Sequence, residues 1–247
     1  MKHSMAIKHL AATLVILSCL LASSAWGDDL SDPALARQLL KGVDSMRRLP
    51  VDGFHLVEAQ GHLLVVSTNG HYAITGGRIL DLWNQLEIHK ASDVDATLRL
   101  PLAKMGIKAS ELGGVSVGRS DAPEGVTVFL DPGSPQTRQI LPELRSLAQR
   151  YRLDVVYVPA QPARVDLARA LICNKQAGLA FFESGQVPQG LASSPSCGEK
   201  ELERARITVH LLGIDVLPYT VAPDGSPVAG HPANYLAQVT ANPGAQR

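Results

Sequence analysis

Three consecutive segments constrain the fold more than any other part of this chain. Val126 to Leu130 is apolar but for Thr127, Pro135 to Tyr151 is helical with Ile140, Leu144, Leu147 and Ala148 on one face, and Leu153 to Val158 is apolar but for Asp154. A strand with one wet face alternates apolar and polar residues; a run without alternation is covered on both faces, the condition of a parallel strand. Strand, helix and strand at this spacing predict a β-α-β unit with buried parallel strands. Helical patterns follow at Val165 to Phe182 and Glu199 to Leu212. Strands are expected at Tyr219 to Ala222 and Pro227 to Ala229 around Asp224-Gly225, and a last helix begins near Pro232.

The N-terminal half follows a different pattern. Ser31-Asp32-Pro33 supplies a helix cap with proline in the first turn, and Leu35, Leu39, Val43 and Met46 repeat at helical spacing, so a short helix ending near Arg48 is expected. Strands are expected at Phe54 to Ala59, His62 to Ser67, His71 to Ile74 and Ile79 to Trp83, with turns that include Gln60-Gly61 and Asn69-Gly70. They form a small antiparallel meander. So small a unit has too little core to stand alone, which points to self-association, a homodimer through residues 28–90. From Ala91 to Leu112 a helical period is interrupted by Pro101 and ended by Gly113-Gly114, giving a connecting helix and loop over residues 91–122. Residues 123–247 form the third part.

Lys2 and Lys8 precede an apolar run of 13 residues, Leu10 to Ala22, followed by Ala25-Trp26-Gly27. This is the pattern of a cleavable secretory signal over residues 1–27, and the run is shorter than the roughly 20 residues of a spanning helix. Cys19, after Ile16-Leu17-Ser18, loosely matches a lipoprotein box, so a lipid anchor is an alternative. Removing Lys2 and Lys8 from the 23 basic residues leaves 21 against 23 acidic ones, and no basic cluster remains, which argues against nucleic acid as a partner. Cys173 and Cys197 are an even pair in an oxidising compartment, so a disulfide is the default reading.

Where the first apolar strand meets its helix the chain reads Asp131-Pro132-Gly133-Ser134-Pro135-Gln136-Thr137. At this point it resembles the periplasmic disulfide isomerases DsbC and DsbG, thioredoxin-like proteins whose equivalent segment is a strand, an aspartate and a Cys-x-x-Cys pair. Further features agree: the strand module with its Asn69-Gly70 hairpin and Asp81-Leu82-Trp83 end, the linker helix, the paired Cys173 and Cys197, and Leu217-Pro218-Tyr219-Thr220-Val221 before Asp224-Gly225. The resemblance implies an α+β protein: an N-terminal dimerisation module, a linker helix and a C-terminal thioredoxin-like α/β domain. It also implies a cis-Pro218 facing the site, a peptide-binding cleft of Pro135, Leu217, Pro218 and Tyr219, and a structural disulfide between Cys173 and Cys197. The family usually has threonine where Leu217 stands.

The departure lies at Ser134 and Thr137, which occupy the two redox positions that the resemblance implies. A hydroxyl forms no mixed disulfide, and thiol exchange proceeds only through one. The expectation is therefore a redox-inactive periplasmic protein that binds unfolded or extended polypeptide as a chaperone or assembly scaffold, with no cofactor. The alternatives are a thiol-disulfide interchange enzyme using another cysteine arrangement and a purely structural envelope subunit. Other chemistry is thin. Gly114-Val115-Ser116-Val117-Gly118 matches the Gly-x-Ser-x-Gly elbow but lacks the strand before and the helix after it. His55, His62 and His71 fall at unrelated spacings with no partner ligands, so no metal site is expected. Asp131 reads as a helix-capping carboxylate, with a proton-relay role as the alternative.

Overall fold

A computed structural model describes residues 33–122, 125–191, 194 and 196–241. The expected signal at 1–27, including Cys19, lies outside the described residues. Contacts divide the chain into two units, one of residues 33–46 with 53–77 and one of residues 47–52 with 78 onward.

In the N-terminal unit, helix α1 (Pro33–Leu39) is shorter than the sequence period suggests. Its last turn closes through the amides of Lys41 and Gly42, and Val43–Arg48 is strand β1, not helix. Gly42 and β-branched Val43 are poor helix residues, and the extended chain finds a sheet neighbour instead. The four-stranded sheet runs β1, β2 (Phe54–Ala59), β3 (His62–Ser67), β4 (Ala73–Thr75). Ala59 faces His62 across Gln60-Gly61, whose φ angles of 53° and 78° give the two-residue turn that matches strand twist. Leu39, Val57, Ala59, Leu64 and Val66 make a small buried cluster.

In the C-terminal unit, residues 78 onward open with a ribbon of β5 (Ile79–Asp81) and β6 (Leu86–Ile88), the second of which has no counterpart among the expected strands. Asp81 Oδ1 accepts the amides of Trp83 and Asn84 and so shapes the turn. The helix expected over Ala91 to Leu112 is reduced to a 3-10 turn, the four-residue α2 (Val94–Thr97) and a second 3-10 turn at Ala109–Leu112. Pro101 has no amide to donate, and the Leu100 amide pairs with the Gly225 carbonyl at 2.8 Å, which takes the backbone out of helical geometry. Leu100 and Leu112 are buried in the core of this unit.

That core surrounds a mixed sheet of β7 (Val115–Gly118), β8 (Gly125–Leu130), β9 (Arg152–Tyr157), β10 (Tyr219–Val221) and β11 (Pro227–Ala229). The strand order is β11-β10-β8-β9-β7. Helix α3 (Pro135–Ala148) joins β8 to its parallel partner β9. Val128, Leu130, Val155 and Tyr157 enter a cluster with Ile140, Leu144, Phe181 and Tyr235; Phe129, Val156 and Val158 enter another with Ala205, Leu212 and Val221. From Val128 and Val155 onward both faces of β8 and β9 are thus covered and the sequence stops alternating, while Thr127 and Asp154 earlier in the strands are half-buried. The single helix expected over Val165 to Phe182 is two, α4 (Val165–Cys173) and α5 (Lys175–Ser184). Asn174 is extended between them, and its side chain caps α5 by accepting from the Ala177 amide at 3.1 Å. Helices α6 (Glu199–Leu211) and α7 (Tyr235–Thr240) complete the chain. A β-α-β crossover, an antiparallel hairpin and a closing helix make this unit a thioredoxin-like α/β domain.

Candidate functional site

The segment between β8 and α3 is held by its own short side chains. Ser134 is extended, stands at the N-cap of α3 and accepts the Gln136 amide at 3.1 Å, while Pro135 occupies the first helical turn, where no amide is missed. Thr137 is fully buried and donates its hydroxyl to the Asp131 carbonyl at 2.6 Å; the same carbonyl accepts the Ser134 amide at 3.0 Å.

The Asp131 carboxylate is buried, and its role differs from the expected helix cap. Oδ1 accepts the Gly133 amide at 3.1 Å, closing a turn one step before the helix, and Ser134 is the cap. Oδ2 pairs with Arg164 Nη1. The Arg164 stem lies over Gly133, where an added Cβ would sit 2.5 Å from Arg164 Cδ, so any larger residue here would displace the arginine from its place over the turn. Nothing in the sequence singled out Arg164, since it follows Asp131 by 33 residues and closes a 3-10 turn, Pro162–Arg164.

The Leu217–Pro218 peptide bond is cis, and Pro218 is buried between half-buried Leu217 and Tyr219. Tyr219 faces Phe129 in the β10–β8 ladder, a register that carries Pro218 to the same end of the sheet as Asp131. Pro135 is exposed at that helix start. Burial pushes the Tyr219 phenol up from its usual value. Behind this end, Tyr157 donates to the Gly178 carbonyl at 2.6 Å and Tyr235 shares a 2.8 Å hydrogen bond with Thr220; burial pushes both phenols well up.

Cys173 and Cys197 are bonded to each other, with Cα atoms 5.6 Å apart, and both are half-buried. The bond joins the end of α4 to the residue before the Gly198 cap of α6 and belongs to neither the Asp131 turn nor the Pro218 loop. Ser116 lies on edge strand β7 and hydrogen-bonds Asp154, with no helix after it, so it does not stand on a nucleophile elbow. His55 and His62 sit on β2 and β3, and His71 in the turn before β4. Among the described residues no three His, Cys, Asp or Glu side chains converge as a metal-binding group. No helix among the described residues is long and apolar enough to cross a membrane.

Neither a known family model nor a curated protein sequence matches this chain. Several solved structures are similar to it. A disulfide interchange protein from Neisseria gonorrhoeae aligns with 54% of this chain and 95% of its own at 18% identity and a TM-score of 0.43. The catalytic domain of Proteus mirabilis ScsC aligns with 56% of this chain and 93% of its own at 15% identity and 0.44. DsbG of Helicobacter pylori aligns with 76% of this chain and 97% of its own at 14% identity and 0.37. The thioredoxin-like arrangement is a property of this chain's own strand order and parallel β8–β9 crossover.

Proposed function

We propose that the chain is an exported, periplasmic relative of the DsbC type without redox chemistry, which binds unfolded or extended polypeptide as a chaperone or assembly scaffold. The observation that carries this reading is the start of α3. Ser134 and Thr137 stand three residues apart at a helix N-terminus, where a cysteine pair would be activated; the Ser134 oxygen accepts the Gln136 amide while its hydroxyl donates to the Gln136 side chain, and the Thr137 hydroxyl donates to the Asp131 carbonyl. A hydroxyl has no route to a mixed disulfide. Polypeptide binding is assigned to Pro135, Leu217, Pro218 and Tyr219 at that end of the sheet. Dimerisation is assigned to residues 28–90, whose strand unit exposes Val43, Met46, Tyr72 and Ile74; light scattering that finds a monomer at micromolar concentration rejects it.

The deciding test runs insulin reduction beside suppression of client aggregation. The exported protein should fail the first and pass the second. Combining Ser134→Cys with Thr137→Cys should create thiol-disulfide exchange activity, because the helix N-terminus lowers the pKa of the first thiol. Thiol-disulfide interchange by the native chain has one observation in its favour, since Cys197 directly precedes the N-terminus of α6. Native activity abolished by Cys197→Ser would establish that reading and reject ours. A protein inactive in both assays would be a structural subunit.

A further inference from the structure

A second feature of the C-terminal unit lies away from the Asp131 turn. Leu82, Trp83, Met105, Ile107 and Leu211, together with the polar Gln85 and Lys104, line a cavity of about 220 Å³. Three elements build it. The β5–β6 turn offers Leu82 and Trp83, the tight turn after Pro101 offers Lys104 to Ile107, and the end of α6 offers Leu211. All of them belong to one unit. Leu82 is 80% exposed and Leu211 60%. Ile207, one turn before Leu211 on α6, is exposed as well, so the apolar surface continues along the helix. A contiguous apolar patch with a hollow in it marks an interaction surface more often than scattered exposed side chains do.

Size and charge define what fits. The cavity is smaller than the roughly 300 Å³ at which small-molecule sites begin, and its mainly apolar lining, with Gln85 and Lys104 as the polar members, suits one large side chain. Lys104 is exposed and ion-pairs with no carboxylate among the described residues, whereas its neighbour Lys108 pairs with Glu111 at 3.4 Å. The rim is therefore complementary to an acid beside the inserted side chain. Met105 and Ile107 pack against the same apolar cluster as Leu217 and Tyr219.

We propose that this pocket anchors client polypeptide by one large apolar side chain flanked by a carboxylate, with Lys104 receiving the acid. The proposal rests on the polypeptide-binding reading above, and it adds a second contact that selects which client segments are held.

Trp83 makes the test direct. Of the two tryptophans in the sequence, Trp26 lies in the expected export signal, so Trp83 alone reports in the exported protein. The probes are two Gly/Ser peptides, one carrying a single Phe-Asp pair and the other a single Phe-Lys pair. The Phe-Asp peptide should shift Trp83 fluorescence saturably, and Leu211→Ser should weaken it by roughly tenfold. Lys104→Gln should weaken it by roughly fivefold, the most that an exposed ion pair gives, and Lys104→Glu should reverse the preference toward the Phe-Lys peptide. All three substitutions are at exposed positions and leave the core untouched. Aggregation suppression that persists while neither peptide moves Trp83 overturns this proposal and leaves the function standing. Peptide binding with the predicted charge preference but no suppression of aggregation does the reverse. If Leu211→Ser turns a dimer into a monomer in light scattering, a second copy of the chain fills the pocket, which would also overturn it.

Discussion

The two units of this chain solve the problem of burial differently. The N-terminal unit packs Leu39, Val57, Ala59, Leu64 and Val66 behind a four-stranded sheet and leaves Tyr72 and Ile74 largely exposed. The C-terminal unit covers both faces of its sheet and also holds a disulfide, a buried carboxylate with its arginine and two buried tyrosines. The difference teaches where chemical perturbation will be felt. Redox conditions, alkaline pH and loss of a buried charge partner should act on the C-terminal unit, while the strand unit should be indifferent to all three.

The largest effect should come from the disulfide. Replacing Cys173 and Cys197 with alanine together should cost about 3 kcal/mol in the C-terminal unit, since the bond closes a loop with a sequence separation of 24. Hydrogen exchange followed during denaturation should show that loss in β8 and β9 and none in β2 and β3. Comparable loss in both units would mean that they unfold as one.

Next comes Arg164→Met, which strands the Asp131 carboxylate. A fully buried pair costs roughly 3 to 5 kcal/mol to break in this way. The Arg164 side chain keeps 26% of its exposure, and water there should hold the loss to about 2 kcal/mol. Adding Asp131→Asn should recover most of it, because no unpaired charge then remains; failure to recover would show that the stem over Gly133 matters more than the charge.

Alkaline pH should separate the units by a smaller amount. The Tyr157 and Tyr235 phenols are pushed well above their usual value near 10 by burial. Their neutral forms therefore support the fold fully below about pH 10, and that support is lost as pH rises toward the folded-state values. Denaturant midpoints measured across this range should fall for the C-terminal unit only, since Tyr72 in the strand unit is already exposed. Tyr157→Phe should flatten the alkaline fall and cost about 1 kcal/mol at neutral pH for the lost bond to Gly178.

What was legible in the sequence follows the same division of physics. The apolar ends of β8 and β9, Val128 to Leu130 and Val155 to Tyr157, disclose these strands because both faces are buried there, and Gln60-Gly61 discloses the β2–β3 turn through a local demand for positive φ. Val43 and Met46 continued the period of α1 yet lie in β1, since four residues at helical spacing do not outweigh Gly42 and an available sheet edge. The break at Asn174 was hidden inside an apolar helical period, and its capping side chain is recognisable only once the helix is seen to restart. At the site, Asp131, Ser134 and Thr137 could be picked out as a local cluster. Arg164 could not, because its contact with Asp131 is made by the fold after a long excursion in sequence.

The smallest effect should be at Ser134 itself, where the site and the stability of α3 meet in one side chain. Its oxygen satisfies a single helix-end amide, that of Gln136, at 3.1 Å. Ser134→Ala removes that acceptor and should cost less than about 1 kcal/mol, and Ser134→Gly only a few tenths, because glycine leaves the end of the helix open to water. Asn174 caps α5 in the same manner through the Ala177 amide, so Asn174→Ala provides a matched control away from the site. Equal losses for the two alanine variants, with client binding unchanged by either, would mark Ser134 as a cap and place recognition on Pro135, Leu217 and Tyr219. A loss of client binding in Ser134→Ala at equal stability would mean that the hydroxyl touches the bound chain, and the division between a supporting turn and a binding surface would have to be redrawn through this residue.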